Sequence, residues 1–307
     1  MFDIIGDIHG FAETLKLLLD NLGYKNENGF YYHQNRKAIF VGDFIDRGKS
    51  IRETLNIVKS MTNNNSAFAI IGNHEYNALA YNTIDSKGRF LREHSSKNNH
   101  QHKQTILAFE NRKDEWEKYL NWFKTLPLFL EFENFNVVHA CWDSEKINLL
   151  KKINPENRIS DKFLELTSIK NSVEFDIVET ILKGKEILLP EEIKYKDKDG
   201  HLRDSIRYKW WSKTDNVSYR NISVNFEEQI PDIIVPKNIL NGHKPYSENE
   251  KPVFFGHYWK TGNPEIQAHN VCCVDYSIAK CNKLTAYRYN GEQKLDNKNF
   301  VTVNCID

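Results

Sequence analysis

The sequence predicts an α/β protein, and three observations carry that prediction. Apolar strand patterns alternate with amphipathic helix patterns through the first third of the chain, glycine closes each strand, and polar clusters follow those glycines at once. In open α/β sheets, ligands sit outside the carboxyl ends of the strands, so the clusters mark where a site is expected.

In order, "FDIIG" reads as a buried strand, and "AETLKLLLDNL" as a helix with Leu15, Leu18, Leu19 and Leu22 on one face. "KAIFVG" is a second strand, followed by the helix "SIRETLNIVKSM" with Ile51, Leu55 and Val58 on one side. "AFAIIG" is a third strand and runs into the helix "NHEYNALAYN". From about Thr83 the chain turns polar and histidine-rich. A long helical stretch then carries Ile106, Leu107, Phe109, Trp116, Leu120 and Phe123 up to Pro127. This span reads as a lid. "FNVVHAC" returns to the core, and about ninety residues without comparable strands follow, which read as a cap because unstructured loops of that length are rare in compact domains. Short strands are expected again in "KNILNGH", "KPVFFGHYW", "NVCCVDYS" and "KLTAYRYNG". The predicted division is a core of residues 1–84, 131–142 and 237–307, a helical lid insertion at 85–130 and a cap insertion at 143–236.

Lysine plus arginine equal aspartate plus glutamate at 42 each, so no global field draws the protein to nucleic acid or acidic lipid. The chain opens without a basic and apolar leader pattern, and no stretch approaches a membrane span, so a cytoplasmic protein is expected. The five cysteines include no CxxC pair and fit a reducing compartment better than a disulfide framework. Cys141 reads as packing, and Cys272 and Cys273, adjacent in a strand, should point to opposite faces.

Four segments share one design, an apolar strand followed directly by metal-type ligands: "IIGDIHG", "FVGDFIDRG", "IIGNHEY" and "VVHACW"; "FFGHYW" is a fifth. Asp7 and His9 flank Ile8 and converge only if the backbone turns, which the neighbouring glycines permit. With Asp43, Asn73, His74 and His139 they form a mixed oxygen and nitrogen set suited to Mn, Fe or Zn rather than calcium.

GDxHG, GDxxDRG and GNHE in this order resemble the phosphoprotein-phosphatase branch of the calcineurin-like metallophosphoesterases, which includes bacterial Ser/Thr phosphatases and symmetrical dinucleoside tetraphosphatases. The resemblance covers residues 1–80 and the later histidines. It implies a four-layer αββα sandwich of two mixed sheets with an inserted, mainly helical cap. It further implies two divalent ions, with Mn2+ as first choice and Fe, Zn, Ni or Co as alternatives. Asp7 and His9 would bind the first ion, Asp43 would bridge, and Asn73, His139 and His257 would complete the second. "NGH" at His243 competes with "FGH" at His257 for the last position, and His257 is preferred because the strand containing Asp275 follows at a gap like the family's. His74 would protonate the leaving group, Asp46 would orient it, and Arg47 would hold a phosphate oxygen. The reaction implied is direct attack of a metal-bridging hydroxide on phosphorus.

The expected substrates are phosphate monoesters, either phosphoserine and phosphothreonine or small phosphometabolites. The alternative is a dinucleoside polyphosphate. Two departures bear on this: Ile71 stands where protein phosphatases usually carry arginine before GNHE, and His139 is followed by Ala140, Cys141 and Trp142 instead of glycines. An arginine among Arg89, Arg92, Arg203 and Arg207 is expected to supply the missing charge. Trp210 and Trp211 read as cap packing, with nucleobase stacking as the alternative, and His94, His100 and His102 read as solvated loop residues. Intact motifs and zero net charge argue against a noncatalytic scaffold or nucleic-acid binder. The sequence leaves the oligomeric state open.

Overall fold

The computed structural model describes residues 1–196, 200, 202–224 and 228–307. The elements run β1 (Phe2–Ile5), α1 (Ala12–Asn21), β2 (Lys25–Glu27), β3 (Phe30–Tyr32), β4 (Lys37–Phe40), α2 (Ile51–Asn63), β5 (Ala67–Ala69) and α3 (Asn73–Asn82). Next come α4 (Ser96–Gln101), α5 (Lys103–Phe109), α6 (Lys113–Phe123), β6 (Phe129–Glu131), β7 (Asn136–Val138), α7 (Ser144–Ile153), α8 (Asp161–Thr167) and α9 (Val173–Lys183). Then follow β8 (Glu186–Leu188), β9 (Tyr195–Lys196), β10 (Leu202–Arg203), β11 (Ser205–Arg207), α10 (Tyr219–Ile222), β12 (Val253–Phe255), β13 (Val271–Cys273), β14 (Lys283–Tyr289) and β15 (Phe300–Asn304).

Two mixed sheets form the centre. One has the order β15-β14-β1-β4-β5 with parallel β1-β4-β5, and the other has the order β13-β12-β7-β6 with parallel β13-β12-β7. Side chains alternate across a strand, and here each face has a different destination. Ile4, Ile39, Val137, Phe254 and Cys272 enter the cluster between the sheets. Their successors Ile5, Phe40, Val138, Phe255 and Cys273 pack outward into the cluster that includes the helices. Helix α1 contributes Leu15, Leu18 and Leu19 to that outer cluster, and α2 contributes Ile51, Leu55 and Val58. Two faces of apolar side chains explain why the parallel strands read as continuous hydrophobic runs. The fold is the expected α/β arrangement of two mixed sheets flanked by helices.

Several local expectations are corrected. The long helix over 106–123 is two helices, with Arg112 at φ −139° starting the second. The break folds α6 back on α5 and lets Phe109 pack on Trp116 at 4.7 Å between centroids, while Thr105 of α5 is buried. "KNILNGH" is a run of turns, consistent with Pro236 before it and Gly242 at φ +80° within it. The hairpin β2–β3 was not anticipated, although Asn28 and Gly29, with φ of 57° and 86°, are a strong two-residue turn signal. Among the described residues after Asp143, helices α7 to α9 are followed by short strand pairs, β8 with β11 and β9 with β10. That span also contains the residues outside the described set.

The cysteine reading is corrected in part. Cys141, Cys272 and Cys273 are free and buried, but Cys281 and Cys305 form a disulfide with Cα atoms 5.1 Å apart. Spacing along the chain could not show this pair. It arises because β14 and β15 run antiparallel and place Lys283, two residues from Cys281, opposite Asn304, one residue from Cys305, and the Cys305 N–H donates to the Asn282 carbonyl at 2.9 Å. No helix among the described residues is long and apolar enough to cross a membrane.

Candidate metal centre

Six loops at the carboxyl ends of β1, β4, β5, β7, β12 and β13 deliver the polar residues, three from each sheet. His9, Asp43 and His74 bring one ligand-type atom each within 4.8 Å of one another, and so do Asp43, His139 and His257. Asp43 belongs to both groups. Its Oδ2 lies 3.7 Å from His9 Nε2, 3.4 Å from His139 Nε2 and 4.0 Å from His74 Nε2. Asn73 Oδ1 is 3.0 Å from His139 Nε2 and 2.7 Å from His257 Nδ1. Asp7 joins through Oδ2, which accepts from the His257 backbone N–H at 3.0 Å. His243 is elsewhere, held by the Ser212 carbonyl at 3.0 Å.

The backbone turns after β1 through a flanking glycine, as expected, with Gly10 at φ +74°. His9 itself lies in the left-handed region at φ +50°. Asp43 (54°), Asp46 (70°), Arg47 (64°), His257 (72°) and Trp259 (49°) share the left-handed region. Non-glycine residues adopt it at a cost, and such residues collect at functional sites. Gly256 is required for a different reason: a Cβ there would lie 2.0 Å from Asp7 Oδ1.

The donor set fits divalent cations. His9 Nδ1 donates to the Ile45 carbonyl at 2.9 Å and His139 Nδ1 to the Val41 carbonyl at 2.7 Å, which leaves each Nε2 for a ligand. Asp7 Oδ1, His9 Nε2 and His257 Nε2 are buried without a hydrogen-bond partner, a costly condition for polar atoms unless an ion meets them. Burial, followed by the neighbouring His74, pulls His9 down to about 4, and burial with nearby Arg207 also lowers His257, so both rings are neutral.

The acids point the same way. Burial first, then Asp275 and Asp43, push Asp7 well above the usual carboxylate range. Burial also raises Glu75 to about 7, with Asp43 adding to it, and Asp275 to about 6. This crowd of buried carboxyls calls for positive charge.

Beside the cluster, His74 Nδ1 donates to Asp46 Oδ2 at 2.5 Å. Burial works against charge on His74, but Asp43 and the bond to Asp46 hold it above its ordinary value. Burial likewise opposes ionisation of Asp46, yet hydrogen bonds from His102 and His74 carry it below the usual range. His102 is therefore misread as a solvated loop residue: it is 7% exposed, and its Nδ1 lies 2.8 Å from Asp46 Oδ1.

A cavity of about 370 Å3 opens over the cluster. Arg47, Arg92, Lys97, Lys183, Arg203 and Arg207 all line it. Of the four arginines considered as suppliers of phosphate-binding charge, Arg89 is excluded by position, because it binds Asp85 on an outer groove at 2.9 Å. Trp210 and Trp211 are buried against Phe255, which agrees with packing, while Trp259 lines the cavity with Arg47 5.2 Å from its ring.

Other residues escaped the sequence reading. Glu75 accepts from the N–H groups of Asp43 (2.8 Å), Phe44 (2.8 Å), Ile45 (3.3 Å) and Gly72 (3.0 Å), tying the second motif to the third. Its signal was available as the last letter of GNHE. Asp275 accepts from Trp259 N–H at 2.7 Å and Ser277 N–H at 3.0 Å, fixing the turn that presents Trp259.

This fold, with a His/Asp cluster at the strand ends, is that of a metallophosphoesterase. The chain belongs to the calcineurin-like phosphoesterase family, whose pattern matches residues 1–259. It is 32% identical over 144 residues to the asymmetrical bis(5'-nucleosyl)-tetraphosphatase PrpE of Oceanobacillus iheyensis, a match spanning 45% of this chain and 54% of that protein. It is 33% identical over 159 residues to the symmetrical bis(5'-nucleosyl)-tetraphosphatase of Marinomonas sp., spanning 48% of each. The chain thus spans about half the length of these curated relatives. Among solved structures, it superposes on a cold-active protein tyrosine phosphatase with a TM-score of 0.52 and 17% identity, covering 98% of this chain and 79% of the other. A protein serine/threonine phosphatase from Saccharomyces cerevisiae gives 0.50 and 14%, covering 100% and 80%. At these identities the structural likeness concerns the fold.

Proposed function

We propose that the protein is a dinuclear-metal phosphoesterase that hydrolyses dinucleoside polyphosphates. The observation that carries this reading is the group of six basic side chains lining the cavity over the metal cluster. A monoester presents one phosphate, which Arg47 and the metals can meet. A polyphosphate chain presents several, and Arg92, Lys183, Arg203 and Arg207 give the additional anions partners. The tetraphosphatase relatives favour this alternative over the monoester expected from the motifs.

In this reading Asp43 would be shared by two divalent ions, Asp7 and His9 would hold one, and Asn73, His139 and His257 would hold the other. When bound, the ions supply an activated water and neutralise phosphoryl charge. His74, oriented through Nδ1 by Asp46, presents Nε2 to the departing oxygen and gives it a proton. Arg47 holds a nonbridging oxygen and orients the phosphoryl group.

The test is hydrolysis with Mn2+ of diadenosine tetraphosphate, p-nitrophenyl phosphate and a phosphothreonine peptide in parallel, with the Asp43→Asn protein as blank. The expected result is a kcat/KM at least tenfold higher for the dinucleotide, a ratio of the size that additional phosphate contacts provide, roughly tenfold per 1.4 kcal/mol. Preference for either monoester would return the phosphatase reading.

A further inference from the structure

We propose that His102, supported by Thr105, is a positioning residue for the acid pair Asp46–His74. The inference rests on the reading of His74 as general acid and adds a component from outside the motifs.

Each oxygen of Asp46 has its own task. Oδ2 meets His74 Nδ1 at 2.5 Å; Oδ1 meets His102 Nδ1 at 2.8 Å and the Thr105 hydroxyl at 2.6 Å. The Thr105 oxygen also accepts from the Asp46 backbone N–H at 3.1 Å. Asp46 sits in a loop at φ +70°, so no helix or strand fixes its side chain. A carboxylate held by His74 alone could swing about its Cβ–Cγ bond and carry the imidazole with it. Donors on the second oxygen remove that freedom, which is how supporting hydrogen bonds orient a working imidazole.

Sequence distance makes the arrangement informative. His102 and Thr105 lie 56 and 59 residues beyond Asp46, at the junction of α4 and α5 and one turn into α5. Lys97 and Gln101 of α4 line the cavity, as does His102 itself. The segment that lines this side of the cavity is thus the segment that aligns the acid, so its placement and the orientation of His74 are mechanically linked.

A simpler role is a staple that holds α4 and α5 to the core. A staple that fails weakens folding and slows every substrate equally, whereas a positioning residue changes discrimination between leaving groups. The experiment compares p-nitrophenyl phosphate, whose leaving group needs little protonation, with phenyl phosphate, whose leaving group needs more. The proteins are the wild type, His102→Leu, His102→Asn, His74→Asn and the double variant His102→Leu/His74→Asn. His102→Leu is expected to lose about tenfold in kcat on phenyl phosphate and less than about twofold on the nitrophenyl ester. His102→Asn should recover most of the loss, because its amide nitrogen can donate where Nδ1 does. The double variant should be no slower than His74→Asn. Equal losses on both esters, or additive losses in the double variant, would overturn the proposal. If His74→Asn shows no leaving-group bias, the acid reading itself fails; bias in His74→Asn without bias in His102→Leu defeats this proposal alone. Should His102→Leu not fold, Thr105→Val removes the other Oδ1 donor at nearly constant volume and is read by the same criteria.

Discussion

His139 presents Nε2 to Oδ2 of Asp43 at 3.4 Å while its opposite nitrogen is committed to the Val41 carbonyl. With that nitrogen committed, Nε2 and the carboxylate need positive charge between them, and the surrounding acids make the need larger. Asp43→Asn is therefore expected to reduce bound metal from two ions per chain to one or none and to abolish hydrolysis, measured by elemental analysis after gel filtration. Two retained ions would remove Asp43 from the bridging role.

Chelation should destabilise the protein as well as inactivate it. Ions that bind only the folded chain add about 2.7 kcal/mol per site at a concentration 100 times Kd. Thermal unfolding with and without Mn2+ is expected to show a rise of several degrees, and the rise should vanish in Asp43→Asn.

His257→Ala should lose the second ion, whereas His243→Ala should keep both, because His243 is engaged by Ser212 and Tyr208 outside the cluster. Metal titration of the two variants checks this, and the reverse result would transfer the ligand role to His243.

Arg203→Ala and Arg207→Ala are each expected to raise KM for diadenosine tetraphosphate about tenfold, the value of one charge-assisted contact, with little effect on p-nitrophenyl phosphate. Similar losses on both substrates would mean that these arginines serve the metal centre and not a phosphate chain.

Away from the site, Asp3 is fully buried and accepts from Arg36 at 3.0 Å, Arg288 at 3.1 Å and Tyr24 at 3.1 Å. Asp3→Ala leaves Arg36 buried without its anion and should cost about 3–5 kcal/mol in urea unfolding, with metal content unchanged.

The first three strands, their helices and the residues of the ordered motifs were legible because each lies within a few positions of a glycine-ended apolar run. His102, Thr105 and Asp275 were not, since their meaning depends on which distant loop they face. The Cys281–Cys305 bridge was hidden for the same reason: antiparallel pairing brings the two together, and no local spacing records it. The hairpin at Asn28–Gly29 is different, for its turn signal is local and lies in those two residues themselves. Trp259 stands two residues beyond His257, yet only the left-handed turn between them shows that it enters the cavity wall.

The assignment of neighbouring strand residues to opposite cores sets a rule for how chain length can vary. Inserting one residue in β4 before Ile39 would exchange the destinations of Ile39 and Phe40 and turn the loop bearing Asp43 by half a pleat. The same holds for β7 at Val137 and β12 at Phe254, whose loops carry His139 and His257. Additions and deletions are therefore tolerable in the connections between α7, α8 and α9, which carry none of the clustered metal-type residues, and intolerable in strands as short as three residues. A chain so built can acquire a new cover over its cavity without changing the spacing inside a single metal-bearing segment.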